Sequence, residues 1–327
     1  MSLLTIKTET GETKSVSLAK GETVLDGMLN AGFDVAYGCK SGACHSCLLQ
    51  SPDLDRIPNV AQKGLRSIEQ SQGYFLSCKC LPEESITIHL DGVHERYLAQ
   101  VLELDQIANN VWRLRLSKEM AYRPGQFLNL KHQSGVTRSY SIASHPIHDD
   151  FLECHIRAYP DGKFSQLIES ELKVGDQLEL SGPYGNCVYE NNDKTRTLLL
   201  SGLGTGLAPL YGIARDALLQ GHAGKIIMVI GAKQINNLYY QAQLQKLVSA
   251  HSNFEVKYSI QNPSANGAAI LPTDIYRTIS DLLPDIKGCE AFLCGNQSFV
   301  QKLRKLCFLG GINMADIKSD TFIRAVA

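Results

Sequence analysis

The run Tyr37-Gly38-Cys39-Lys40-Ser41-Gly42-Ala43-Cys44-His45-Ser46-Cys47 carries more information than any other in the chain. Four residues separate Cys39 from Cys44, two separate Cys44 from Cys47, and a fourth thiol, Cys78, follows after a long interval. C-x4-C-x2-C…C is the plant-type ligand spacing of a [2Fe–2S] cluster. Gly38, Ser41, Gly42 and Ala43 let the backbone curl around a compact inorganic centre, and glycine accepts the positive φ that such a loop demands. Inward-facing N–H groups then bond the sulfurs and tune the potential. Other thiol chemistries fit less well. A zinc site wants two short-spaced pairs, and the second here is only Cys78 and Cys80, one residue apart. A redox dithiol at Cys44 and Cys47 leaves Cys39 and the small residues unexplained. Haem attachment needs a histidine where Leu48 stands. The spacing therefore assigns Cys39, Cys44, Cys47 and Cys78 to a cluster.

At 327 residues the chain suits two or three domains. Its composition, 44% hydrophobic and 20% charged with a net charge of −1, is that of a globular protein and offers no basic surface for nucleic acid. The six cysteines outside the cluster set lie scattered in strand- and helix-like contexts, which suits a reducing cytoplasm better than a disulfide framework. No apolar run reaches the roughly 18 residues of a membrane span, and the first residues lack the basic flank and apolar core of a signal peptide. Residues 1–91 hold 8 Lys/Arg against 11 Asp/Glu. That excess would suit steering of a partner, and equally an ordinary solvated surface.

Working outward from the cysteine loop, residues 1–91 read as an α+β module. Strands at 3–8 and 14–18 precede a helix near 23–31 that ends at Gly32, and a second short helix precedes Tyr74-Phe75-Leu76-Ser77-Cys78. A strand at 85–90 closes it. Residues 92–191 turn strand-rich, with short alternating segments at 97–104, 111–116, 126–130, 151–158 and 177–180 between Gly, Pro and Asp turns. Six or so such strands predict an antiparallel barrel, with one helix at 163–171. Residues 192–327 alternate compact apolar runs (197–200, 226–230, 254–260, 291–293) with helical segments (208–220, 239–250, 272–282, 297–309), the pattern of a parallel α/β sheet.

Candidate binding residues fall in the second and third regions. Leu200-Ser201 runs into Gly202-Leu203-Gly204-Thr205-Gly206-Leu207-Ala208-Pro209, a strand, glycine turn and helix start suited to a pyrophosphate and also to a plain tight turn. Cys294-Gly295-Asn296 follows a strand at the carboxyl edge where α/β sheets take ligands, though Cys294 also reads as a buried thiol. Lys233 and Tyr239 follow the second strand, where contacts to an adenosine ribose are expected. In the middle region, Arg138-Ser139-Tyr140-Ser141 offers a phosphate clamp, an amphipathic ring and a hydroxyl donor for a flavin. Arg157, Gly162, Lys163 and Ser165 surround the start of the helix, where free N–H groups suit a diphosphate or simply begin a helix.

In this order the motifs resemble the three-domain reductase components of oxygenase systems, in which a plant-type ferredoxin domain precedes a ferredoxin–NAD(P)H reductase-like pair. Members serve aromatic-ring dioxygenases and di-iron monooxygenases, and a reductase of deoxysugar biosynthesis is similar. The resemblance covers essentially the whole chain. It implies a β-grasp domain at 1–91, an FAD barrel at 92–191 and an NAD(P) domain at 192–327. It implies that Arg138, Tyr140 and Ser141 hold FAD, with Gly162, Lys163 and Ser165 at its diphosphate. Gly204, Thr205 and Gly206 would cradle the nicotinamide nucleotide and Cys294 would lie by its ring. Phe322 resembles the aromatic that lies against the flavin, and equally a core residue of the last strand. Electrons would then run from NADH through FAD and the cluster to a terminal oxygenase or similar acceptor protein, with Ser141, Cys294 and Phe322 nearest the reacting atoms.

The chain departs from the family pattern at His45, often glycine, and at Gln297 and Phe299, often Pro and Met. Lys233 is the only cation close after the second strand of the last domain, where NADP-specific members would place several, so NADH is favoured over NADPH. A reductase for small acceptors such as ferric ions or free flavin, and a non-catalytic redox sensor, are the competing readings.

Overall fold

The computed structural model describes residues 2–8, 12–33, 35, 37, 40, 42, 47–65, 67–90, 96–190, 192–261 and 274–322. It divides into two compact units, Met1–Arg96 and Tyr97–Ala327.

The first unit starts with two antiparallel strands, β1 (Ser2–Lys7) and β2 (Thr13–Leu18). Helix α1 (Val24–Asn30) follows, because Thr23 is extended and its hydroxyl accepts the Asp26 N–H at 3.1 Å. Strand β3 (Leu48–Gln50), the short helices α2 (Asn59–Gln62) and α3 (Ser67–Ser71), β4 (Tyr74–Leu76) and β5 (Ile86–His89) complete it. The sheet order is β2-β1-β5-β3-β4, with β1 and β5 parallel. Leu4, Ile6, Leu25, Met28, Phe75, Ile86 and Ile88 fill its core. The turn expected between β1 and β2 falls partly outside the described residues.

The second unit begins with the barrel. Its strands are β6 (Arg96–Ala108, the first residue lying in the first unit), β7 (Val111–Ser117), β8 (Phe127–Lys131), β9 (Thr137–Ser141), β10 (Phe151–Arg157) and β11 (Gln177–Tyr184), with helix α4 (Lys163–Ser170) between the last two. They pair in the order β10-β7-β6-β11-β8-β9. A bridge between Ile142, just beyond β9, and Cys154 of β10 joins the first strand of that order to the last and closes the barrel.

The remaining elements are β12 (Leu198–Leu203), α5 (Leu207–Leu219), β13 (Ile226–Ala232), α6 (Gln241–Ala250), β14 (Phe254–Ile260), α7 (Ile275–Leu282), β15 (Glu290–Asn296), α8 (Gln297–Leu309) and β16 (Ile317–Phe322). The sheet is parallel throughout in the order β14-β13-β12-β15-β16. Alternate residues of its central strands enter different cores: Leu198, Leu200 and Phe292 one, Leu199, Ala291 and Leu293 the other. Burial on both faces is why these strands read as unbroken apolar runs. The chain leaves β12 toward β13 and later returns to β15 on its other side, so the switch point lies between β12 and β15. Several element bounds differ from expectation; β6 and β11, for instance, each run four residues past the expected end, to Ala108 and Tyr184. The helix expected from residue 239 starts at Gln241, because Tyr240 takes φ +60° and precedes it as the cap. The helix expected at 272–282 is described from Ile275, capped by Asp274. No helix among the described residues is long and apolar enough to cross a membrane.

Candidate active site

In the first unit the β3–β4 ladder pairs Leu48 with Leu76, which sets Cys47 and Cys78 at the same end. Ser77 fastens them: its N–H and its hydroxyl both donate to the Cys47 carbonyl, at 3.0 and 2.8 Å. Both cysteines are buried. Lys40 and Gly42 take φ of +47° and +80°, the left-handed backbone expected of the small-residue loop. The Lys40 ammonium pairs with Asp26 on α1 at 2.8 Å, and this bond, with the Thr23 hydroxyl, holds the Asp26 carboxyl below its usual range. Two buried cysteines held at one end of the ladder through Ser77, with a left-handed Lys40 and Gly42, fit a [2Fe–2S] cluster. Cys39, Cys44 and His45 lie outside the described residues.

In the second unit, Gly204–Gly206 form one tight turn between β12 and α5. A side chain on Gly206 would place its Cβ 2.1 Å from the Cys294 carbonyl oxygen, so only glycine lets the turn settle against β15. Gly204 is left-handed at φ +55°, and a Cβ there would lie 2.7 Å from the Arg157 guanidinium, which reaches across from the end of β10. Arg157 thus lies against the glycine turn. No side chain caps this turn or α5, and the Leu207 N–H bonds back to the Gly204 carbonyl, so the N–H groups left for an acceptor are those of Gly204–Gly206, at the head of a 13-residue helix. A close-packed glycine turn, open N–H groups and a cation fit a dinucleotide pyrophosphate.

The β15–β16 register sets Cys294 beside Asp320 and Asn296 beside Phe322. The Ser141 hydroxyl, at the end of β9, donates to Asp320 Oδ2 at 2.6 Å. Ser141 and Asp320 are both buried, and Phe322 is half-buried. Ser141, through Asp320, thus lies against the β15–β16 pair that carries Cys294 and Phe322, where barrel and parallel sheet adjoin. Cys294 is fully buried, with its Sγ 4.0 Å from Cys187 Sγ; burial first, and then Cys187, push its thiol pKa up. Its side chain is a protonated thiol at neutral pH.

The flavin candidates lie along β9 and at the start of α4. Tyr140 packs its ring 5.3 Å from Phe164, and Arg138 is half-buried with Nη1 donating to the Thr137 carbonyl at 2.7 Å. Gly162 caps α4 and abuts Ser165, whose buried hydroxyl accepts the Tyr159 N–H at 2.9 Å; Lys163 is exposed. Ser165 keeps its hydroxyl proton to donate, so this end of the helix fits a diphosphate.

Tyr239 takes a different place from the one expected. It is buried and its hydroxyl lies 3.1 Å from His155 Nδ1 on the barrel, which removes it from a ribose site at the sheet edge. One residue and one contact of this region escape a reading of the sequence. Asp320 is brought to Ser141 across 179 positions by strand pairing alone. Arg157 was legible as a cation near α4, but its reach to Gly204 depends on how barrel and sheet pack.

Fold and site together define a flavin- and nicotinamide-dependent oxidoreductase that carries its own iron–sulfur domain. Three family models match in the same order: a 2Fe-2S iron-sulfur cluster binding domain at residues 7–83, an oxidoreductase FAD-binding domain at 99–189 and an oxidoreductase NAD-binding domain at 199–305. The chain is 30% identical over 313 residues to the ferredoxin–NAD(P)(+) reductase component of the naphthalene 1,2-dioxygenase/salicylate 5-hydroxylase systems of Ralstonia sp, with 92% of this chain and 94% of that one covered. It is 26% identical to the reductase component of phenol 2-monooxygenase from Pseudomonas sp. (strain CF600), covering 97% and 93%. A crystal structure of an Amycolatopsis cytochrome P450 reductase superposes with a TM-score of 0.69 at 25% identity, covering 98% of each chain. The chain belongs to the family of iron–sulfur flavoprotein reductase components of oxygenase systems.

Proposed function

We propose that this chain oxidises NADH and passes the electrons, through FAD and a [2Fe–2S] cluster, to a terminal oxygenase of the aromatic-ring dioxygenase or monooxygenase type in the cytoplasm. The observation that carries the reading is the convergence of the glycine turn, Cys294 and the Ser141–Asp320 pair on one edge of the second unit. Bound to this chain, FAD would supply hydride acceptance and the cluster single-electron transfer. The division we assign is 1–91 for the cluster, 92–191 for FAD and 192–327 for the nucleotide.

The protein's own part is placement. Open N–H groups from Gly204 to Gly206 and the Arg157 guanidinium receive the nucleotide pyrophosphate. Cys294 floors the nicotinamide pocket as a neutral thiol, and Phe322 lies beside it at the edge. Ser141 Oγ holds a proton that Asp320 orients. Arg138 and the start of α4, with Gly162, Lys163 and Ser165, take the flavin phosphates, while Tyr140 packs on the ring. Cys39, Cys44, Cys47 and Cys78 hold the iron.

NADH rather than NADPH follows from the segment after β13, where Lys233 is the one cation in Gly231-Ala232-Lys233-Gln234-Ile235-Asn236-Asn237. Gln234 and Asn237 are tied to each other's backbone there, in a reciprocal cap. Steady-state ferricyanide reduction by the flavin-loaded protein tests this. We expect kcat/KM for NADH to exceed that for NADPH by about tenfold or more, the discrimination that one missing charge contact gives. Equal values, or a preference for NADPH, would overturn the assignment.

A further inference from the structure

Strand β10 has the sequence Phe151-Leu152-Glu153-Cys154-His155-Ile156-Arg157. Its even positions, Leu152, Cys154 and Ile156, enter the barrel core. Strand alternation therefore turns Glu153, His155 and Arg157 to the other side, toward the nucleotide-binding half of the same unit. Glu153 and His155 are only 3% exposed, so this polar face is buried rather than solvated. A buried polar face is costly unless every group is partnered.

The partners come from both halves. Arg115 Nε donates to Glu153 Oε2 at 2.7 Å, and His155 Nε2 bonds Glu153 Oε1 at 3.0 Å. From the nucleotide side, the Tyr240 hydroxyl donates to Glu153 Oε1 and the Tyr239 hydroxyl meets His155 Nδ1 at 3.1 Å. Both tyrosine rings stand edge-on to the imidazole, with centroids 5.1 and 4.7 Å away. Tyr240 does this with a left-handed backbone, φ +60°, which a bulky side chain adopts only when its surroundings compel it. Two residues further along the same face, Arg157 reaches Gly204.

We propose that Glu153, His155 and Tyr239 are positioning residues for NADH oxidation: this polar seam fixes the register in which the nucleotide half presents its glycine turn to the flavin half. The inference rests on the NADH reading above. Interfaces between domains of one chain ordinarily permit relative motion. An apolar contact of this area would hold the halves together yet let them slide, whereas directed hydrogen bonds have one register. The seam and the nucleotide contact share one rigid strand, so a slip at His155 is passed to Arg157 and to the turn. Hydride transfer is sensitive to displacements of this kind.

Tyr239→Phe removes one hydroxyl and keeps the ring, while His155→Gln keeps one donor and one acceptor. Both are examined as flavin-loaded protein by thermal melting, by NAD+ titration calorimetry and by the rate of flavin bleaching at saturating NADH. We expect Tyr239→Phe to keep its flavin and melt within a few degrees of wild type. Its NAD+ Kd should rise about fivefold, the worth of one hydrogen bond, and its bleaching rate should fall about tenfold. His155→Gln should stay within about twofold of wild type in both, since either partner role survives. Unchanged Kd and bleaching rate in Tyr239→Phe, or losses in both variants that merely follow a lowered melting temperature, would reduce the seam to packing and overturn the inference. A wild-type flavin that NADH fails to bleach would overturn the NADH reading itself, and the inference with it.

Discussion

A methyl group on Gly206 would stand 2.1 Å from the Cys294 carbonyl oxygen, a backbone atom that cannot swing aside. Gly206→Ala should therefore cost about 1–3 kcal/mol in urea denaturation and lower kcat/KM for NADH by about tenfold or more. Wild-type values for both would mean that the turn does not rest on β15. Glu153 makes a second case at this scale. Burial alone pushes its carboxyl up, but the bonds from His155, Tyr240 and Arg115 outweigh it and bring the pKa to about 2. Since the folded value lies below the unfolded one, the ion's contribution is fully present above about pH 4.5 and is lost as pH falls toward 2. Its size is about 3 kcal/mol. Urea denaturation of Glu153→Gln and wild type across that window should show a gap that narrows as the medium is acidified; a gap independent of pH would contradict the pairing.

Helix α1 shows how a short element serves a distant group. Seven residues make a marginal helix alone. The Thr23 cap, the apolar face of Val24, Leu25 and Met28 in the core, and the Asp26–Lys40 pair fix it beside the cysteine loop. Thr23→Ala should cost about 1 kcal/mol in denaturation followed in the first unit, with no effect on NADH affinity. Such elements were legible because their signals are local. The glycine turn likewise showed itself as strand, small residues and helix. The seam of β10 was not legible: Phe-Leu-Glu-Cys-His-Ile-Arg alternates like any half-solvated strand, and only packing reveals that its polar face is buried. Tyr239 misled for the same reason, since a tyrosine after the second strand reads as a ligand contact until a buried histidine is found against it.

For the whole molecule, the order of the motifs conveyed the architecture, because each cofactor class demands its own supersecondary frame: a cysteine loop on a small sheet, a closed barrel, a parallel sheet with a switch point. Long-range pairing supplied what the order lacked. Asp320 reaches Ser141 only because β16 joins the sheet beside β15, and no local pattern marks an aspartate in a last strand as a partner for a hydroxyl 179 positions away. The central claim is that electrons entering from NADH at the edge of the second unit leave through the cluster of the first. An anaerobic NADH titration of the loaded protein, followed together by visible absorbance and electron paramagnetic resonance, tests it most directly. Flavin bleaching and the resonance of a reduced [2Fe–2S] cluster are expected in the wild type, and bleaching without that resonance in Cys78→Ser. Bleaching in the wild type with no cluster resonance, or the same resonance in Cys78→Ser, would contradict it.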